Sequence, residues 1–168
     1  MLVLVRHAEP AFEESVAPDR WPLSPAGLAA ARALRLPSSA LLVASDEVKA
    51  AQTLSPAGPV TVDARFREVA RVGEPWNGPF RELRRSYVDG ADRPGWEPRA
   101  EVARRFDEGI AELLVCAAGR PLVVASHGMA MTVWLHARGC VDRPGEFWAA
   151  LRFPDVLTVD LASSTVTR

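Results

Sequence analysis

Short, continuous apolar runs alternate along the chain with longer stretches of helical spacing. Leu2–Val5 is apolar throughout and bounded by polar residues. That predicts a strand buried on both faces, as inside a parallel sheet. Ser24, Pro25 and Gly27 introduce an Ala/Leu/Arg stretch that runs to Leu36 and stops at Pro37. Ser24 as N-cap and Pro25 at the first helical position predict a helix start there. Ala40–Ala44 is a second apolar run. Ser45-Asp46-Glu47 follows and is read as a helix start with acids in its first turn, the helix reaching roughly to Leu54. Pro59–Asp63 predicts a third strand. From Ala64 to Arg99, Pro, Gly, Trp and charge mix without a period, as in a long functional loop with short helical pieces. Helical spacing returns over Arg99–Ala117, through Val102, Phe106, Ile110 and Leu113–Leu114, and Gly119 closes it. Leu122–Ala125 is another apolar strand. Met129–Arg138 predicts a helix ended by Gly139, and Val156–Leu161 with Thr165–Thr167 predicts a terminal hairpin.

Strands alternating with helices predict an α/β fold, a three-layer α/β/α sandwich around a mostly parallel central sheet. The 168 residues show no repeat or linker, so a single domain over 1–168 is expected. In such sheets, ligands bind beyond the carboxyl ends of the strands. One apolar strand leads into Arg6 and His7, another into Ser126 and His127. Two histidines far apart in sequence are therefore expected at one sheet edge. With Arg6 beside them they form a candidate anion site.

Composition narrows the partners. Hydrophobic residues make up 48% and charged residues 24%, with a formal net charge of -1. That balance gives no reason to expect nucleic acid or an anionic membrane. The only cysteines, Cys116 and Cys140, are too few for a disulfide framework and suit a reducing compartment. The apolar start is too short for a signal core or a membrane span, so a cytoplasmic location is expected. Oligomeric state is not legible. His7, His127 and His136 are scattered without an acidic cluster, so no metal-ligand spacing is present and no cofactor is expected. Of the 20 cationic residues, all but Lys49 are Arg.

The motifs, taken in order, resemble those of the histidine phosphatase superfamily, the phosphoglycerate-mutase-like proteins. "VRHAEP" is similar to the family's Arg-His-Gly signature, with Ala8 in place of glycine. "PLSPAG", Pro22 to Gly27, is similar to the family's Pro-Leu-(Ser/Thr)-x-x-Gly phrase. "SDEVKAAQT" keeps Ser45, Ala50, Gln52 and Thr53 of a phrase that has Arg where Lys49 stands. "RFREVARVGEPWNG" offers Glu68 where the family carries an acid, with Trp76 and Gly78 downstream. "VVASHGMAM" resembles the second-histidine segment. The resemblance spans nearly the whole chain. It departs at Ala8, at Lys49, at Glu13 where Asn is common, and at "GWEPR", Gly95 to Arg99, where a Gly-Glu-Ser phrase would stand.

The resemblance implies a phosphoglycerate-mutase-like fold and a metal-independent phosphatase acting on a small phosphorylated substrate. His7 would be the nucleophile, forming a phosphohistidine, and Glu68 the general acid and base. Arg6, Lys49 and His127 would hold the phosphate. The residue types suit this chemistry: a transferring phosphoryl group spreads charge over three oxygens, Arg6 offers a two-pronged donor, and cationic neighbours keep the His7 imidazole neutral. The alternatives are a non-catalytic relative binding phosphorylated ligands or a protein partner, a phosphoprotein phosphatase, and a phosphoglycerate mutase. Simpler readings stand beside several residues. His136 suits a helix C-terminus. Glu9 and Asp19 suit a solvated loop, and Trp76 and Trp96 suit packing of the irregular segment. Arg81, Arg84 and Arg85, near Glu82 and Asp89, suit a solvated face. Lys49 itself suits drift at a surface helix position.

Overall fold

A computed structural model of the chain describes residues 1–74 and 77–168. Its strands are β1 (Leu2–Arg6), β2 (Leu41–Ala44), β3 (Thr61–Val62), β4 (Leu122–Ser126), β5 (Asp155–Asp160) and β6 (Thr165–Thr167). They form one sheet in the order β3-β2-β4-β1-β5-β6. The first four strands in sequence run parallel, while β5 and β6 pair antiparallel. The helices are α1 (Pro25–Ala33), α2 (Val48–Leu54), α3 (Phe80–Val88), α4 (Arg99–Ala117), α5 (Gly128–Ala137) and α6 (Pro144–Ala149).

Strand side chains alternate between two apolar layers, as the pleat demands. Val3, Val5, Leu42, Ala44, Val123 and Ala125 pack with Ala50 and Leu54 of α2 on one face. Leu2, Leu4, Leu122, Val124 and Leu157 pack with α4 and α5 on the other. The expected three-layer architecture is therefore present. Because β1, β2 and β4 are covered on both sides, they read as unbroken apolar runs. The α4 helix matches its predicted span, and Ser24 caps α1 by accepting the Gly27 N–H at 3.0 Å.

Three expectations need correction. The strand predicted over Pro59–Asp63 is only two residues long, and both are exposed. The aperiodic segment contains a nine-residue helix, α3, of which only Tyr87 and Val88 are buried. Its apolar residues Phe80, Leu83, Tyr87 and Val88 do keep a helical spacing, but they are few and set among Arg and Glu. The helix expected from Asp46 begins at Val48, and the Glu47 side chain makes no cap hydrogen bond. It turns inward instead.

The loop after β1 is clamped by the motifs that follow it. The Ala8 N–H donates to Thr53 Oγ1 at 2.9 Å, and the Leu23 N–H donates to Gln52 Oε1 at 2.7 Å. Ser24 donates its own N–H to Glu9 O at 2.9 Å. Gly27 lies so close to this strap that a Cβ there would stand 2.1 Å from Glu9 O. The Pro22–Gly27 and Gln52-Thr53 phrases thus hold the backbone that carries His7. Gly27→Ala should destabilise the fold by about 1–3 kcal/mol, the usual cost of overpacking, and should lower turnover by displacing the loop. Urea unfolding together with kinetics checks both; an unchanged midpoint would show that the strap yields freely.

Candidate active site

Each of the central parallel strands delivers a polar group at its carboxyl end. In the β1–β4 register, Arg6 faces Ser126, and the His7 N–H donates to Ser126 O at 3.1 Å. The two imidazoles therefore meet, with ring centroids 5.1 Å apart. The His7 ring places Nδ1 2.7 Å from Ala8 O. A carbonyl only accepts, so Nδ1 carries the proton and Nε2 keeps its lone pair. His7 is 6% exposed and His127 1%. Burial, the neighbouring imidazole, Lys49 and Arg6 hold the His7 pKa well below its usual range. Burial, followed by Lys49, Arg71 and Arg105, pushes His127 down to about 3 against the pull of Glu68. Both rings are neutral near pH 7.

His127 sits at the N-cap of α5. Its Nε2 lies 2.7 Å from Ser45 Oγ, while its buried Nδ1 has no partner. Ser45 Oγ accepts the Glu47 N–H at 3.3 Å and keeps a second lone pair as well as its proton, so its contact with Nε2 fits either His127 tautomer. Arg6 donates Nη1 to Leu151 O at 2.8 Å. Its Nε is buried without a partner. The ring of Phe153 lies 3.6 Å from the guanidinium carbon, a cation–π contact that holds the group flat and leaves the Nε edge free. Burial lowers the Arg6 pKa to about 10, so it stays charged.

Glu68 follows the turn Ala64–Phe66, which is anchored through Phe66. Phe66 meets Phe106 edge-on at 4.9 Å and fills the space left by Gly109. Arg105 ties the same turn down by donating to Arg65 O and Arg67 O at 2.6 and 2.9 Å. The Glu68 carboxylate accepts from Val69 N and Ala130 N at 2.9 Å, and from Met129 N at 3.3 Å. These last two donors belong to the first turn of α5, where an anion is favoured. Burial opposes ionisation, but Arg71 and the backbone donors outweigh it and hold Glu68 at about 2.

Lys49 and its neighbour Glu47 depart from expectation. Lys49 is 5% exposed, not a surface position, and its Nζ donates to Pro18 O at 2.7 Å and Glu47 Oε2 at 2.5 Å. Glu47 also accepts the Glu68 N–H at 2.8 Å and stands 3.4 Å from His127 Nε2. Sequence reasoning missed Glu47, whose place in an apparent first turn disguised a buried carboxylate.

The remaining candidates take quieter places. Ala8 is fully buried beside Leu23 and Ala31, and it is not among the residues with positive φ, so its methyl fits. Glu9 accepts the Ser24 hydroxyl on the surface. His136 pairs with Val141 O at the end of α5. Trp96 packs on Tyr87, whereas Trp76 lies outside the described residues. Arg84 is held by Glu74 instead of being solvated. No group of three or more His, Cys, Asp or Glu that could hold a metal occurs among the described residues. Nor is any of their helices long and apolar enough to cross a membrane.

The model of the histidine phosphatase superfamily, branch 1, matches residues 2–156, and the chain belongs to that superfamily. Solved structures share its fold. A mycobacterial glucosyl-3-phosphoglycerate phosphatase superposes with a TM-score of 0.70 at 22% identity, covering 93% of this chain and 87% of that one. A protein from Thermus thermophilus gives 0.66 at 25% identity, with 95% and 92% covered. YhfR of Bacillus stearothermophilus gives 0.69 at 18% identity, with 99% and 93% covered. No curated protein matches the chain.

Two tests follow from the buried charges. Glu47→Ala strands Lys49 in the interior and should cost about 3–5 kcal/mol. Glu47→Leu combined with Lys49→Met should recover much of that loss. A double variant as unstable as the single one would remove the ion pair as the cause. Stability should also fall on acidification. The unfolded chain binds protons on both histidines below about 6.5, while folded His127 resists until about 3. The unfolded state then holds more protons, and ΔG of unfolding drops as pH falls through that window. His7→Asn should flatten the slope of the urea midpoint between those limits.

Proposed function

We propose that the protein is a metal-independent phosphomonoesterase working through a phosphohistidine on His7. The observation that carries this reading is the tautomer of His7. With Nδ1 tied to Ala8 O, a buried neutral imidazole has only Nε2 to offer, and that atom holds a lone pair. The phosphate would sit against the Nε edge of Arg6 and against His127 Nδ1, in the tautomer that carries its proton there, both buried nitrogens without partners. Such pre-placed donors stabilise charge on the transferring oxygens in a site that largely excludes water.

In the first step the Nε2 lone pair attacks phosphorus in line as the phosphorus–oxygen bond to the alcohol breaks. The departing oxygen takes a proton from the Glu68 carboxyl. In the second step water attacks the phosphohistidine and gives its proton to Glu68. The phosphorus–nitrogen bond breaks, phosphate leaves and His7 is again neutral. With a free-state pKa of about 2, Glu68 is ionised in the empty site. Its proton therefore arrives with the substrate monoanion, whose second ionisation lies near pH ~6, and is relayed as the alcohol departs. Lys49 adds less than Arg6 to phosphate binding, because Glu47 balances its charge.

Phosphate trapped on wild-type protein during turnover should be acid-labile, and His7→Ala should abolish both trapping and turnover while keeping the fold. A fully active His7→Ala protein would falsify the nucleophile assignment. Wild-type kcat/KM on alkyl phosphates should fall as pH rises above about 6. Glu68→Gln should harm alkyl more than aryl esters, and EDTA should change neither.

A further inference from the structure

Beside the phosphate site lies a cavity of about 820 Å3, within the roughly 300–1,000 Å3 range of small-molecule sites. Glu47 and Glu68 line it, so it adjoins the place where the alcohol would depart. Its walls combine two features. The first is aromatic: Phe12, Trp21 and Phe80 all line it. Phe12 and Trp21 meet edge-on at 5.2 Å. Phe12 is 64% exposed and Phe80 47%, so apolar area that a ligand could cover is left facing water. The second feature is that every wall cation is already held. Arg67 pairs with Asp46. Arg71 and Arg84 share Glu74, with contacts of 2.9 Å from Arg71 and 2.7 Å from Arg84. Among the described residues five carboxylates and three guanidiniums line the cavity, and Lys49 balances one of those carboxylates, Glu47.

We infer that this cavity is the alcohol subsite, and that it selects phosphomonoesters of uncharged aromatic or bulky apolar alcohols against those of acid-bearing alcohols. The inference rests on the phosphatase reading above. A carboxylate on the alcohol would enter a wall whose described guanidiniums are each already paired with a carboxylate. To find a partner it would have to displace Glu74 or Asp46 from a bidentate or close pair. An aromatic alcohol asks for no such exchange and covers the exposed rings of Phe12 and Phe80. Glu74 is thus the charge that closes the pocket to acids, by occupying two arginines at once.

The test compares 2-naphthyl, phenyl, 3-carboxyphenyl and 3-(aminomethyl)phenyl phosphates by kcat/KM at one pH. The naphthyl ester should exceed the carboxyphenyl ester by about tenfold or more. Phe12→Ala should shrink the naphthyl-to-phenyl ratio. Glu74→Gln, by freeing Arg71 and Arg84, should raise the carboxyphenyl-to-phenyl ratio about fivefold or more. A carboxyphenyl ester used as well as the naphthyl ester overturns the inference and leaves the phosphatase reading standing. So does a preference for the aminomethyl ester over the naphthyl ester, which would mean that the wall carboxylates decide. Calorimetric binding of 2-naphthylmethyl- and 3-carboxybenzylphosphonate separates the two claims. If no ester turns over, the phosphatase reading fails, while tighter binding of the naphthyl compound upholds the pocket and equal binding overturns it.

Discussion

The parallel pairing of β1 with β4 is the constraint on which everything else rests. Its register sets Arg6 beside Ser126, so the residues that follow each strand leave the sheet at one point. Two imidazoles and a guanidinium are thereby forced into a volume that the packed helices close to water. A low-dielectric setting makes charge expensive, and the site responds by keeping both rings neutral. On the proposed reading this neutrality matters, because it leaves His7 Nε2 a lone pair to give. The anion that would compensate Arg6 is supplied only in part, by Glu68 and Asp155 at longer range. The unsatisfied Nε of Arg6 and Nδ1 of His127 are what is left uncompensated, and their cost is tolerable because a phosphate would relieve both.

Most of the frame was legible in the sequence because it rests on apolar runs and caps. β1 and β4 are buried on both faces, so nothing but hydrophobicity marks them, and the polar residues beyond their ends stand out. The first helix was legible from Ser24 and Pro25, whose cap chemistry is local. What could not be read was set by tertiary contact. The α3 helix has Phe80, Leu83, Tyr87 and Val88 at helical spacing but buries only the last two, and the Pro- and Gly-rich sequence around it masks so short a pattern. Glu47 looked like a first-turn acid, and the solvated alternative is the usual fate of such a residue. Only the assembled site shows it bonded to Lys49 and to the Glu68 backbone.

Lys49 and Glu47 are best understood together. Where the family phrase has Arg, Lys49 is a compact charge that needs a partner when buried. Glu47, two residues earlier, supplies one at 2.5 Å, and the Pro18 carbonyl supplies another acceptor at 2.7 Å. The pair adds almost nothing to the net charge of the site. It does connect three elements of it: the loop around Pro18, the start of α2, and the turn that carries Glu68. On the proposed reading, the positive charge facing the phosphate therefore comes chiefly from Arg6, since the first-turn amides of α5 are taken by Glu68.

That distribution separates the site into two poles. At the sheet edge, Arg6 Nε and His127 Nδ1 are buried and unsatisfied, and on the proposed reading they take the phosphate common to every monoester. Across Glu47 and Glu68, the cavity wall has its guanidiniums already paired and Phe12 and Phe80 exposed, and on the inference drawn above it takes the part that differs between esters. Such a division lets the two ends change independently. Altering the pairing of Arg71 and Arg84 with Glu74 would change which alcohol fits without touching His7, while altering the clamp around Ala8 and Thr53 would change the chemistry without touching the alcohol. The same sheet edge can thus keep one reaction while the loops beyond it vary its object, which is how a single α/β frame serves many substrates.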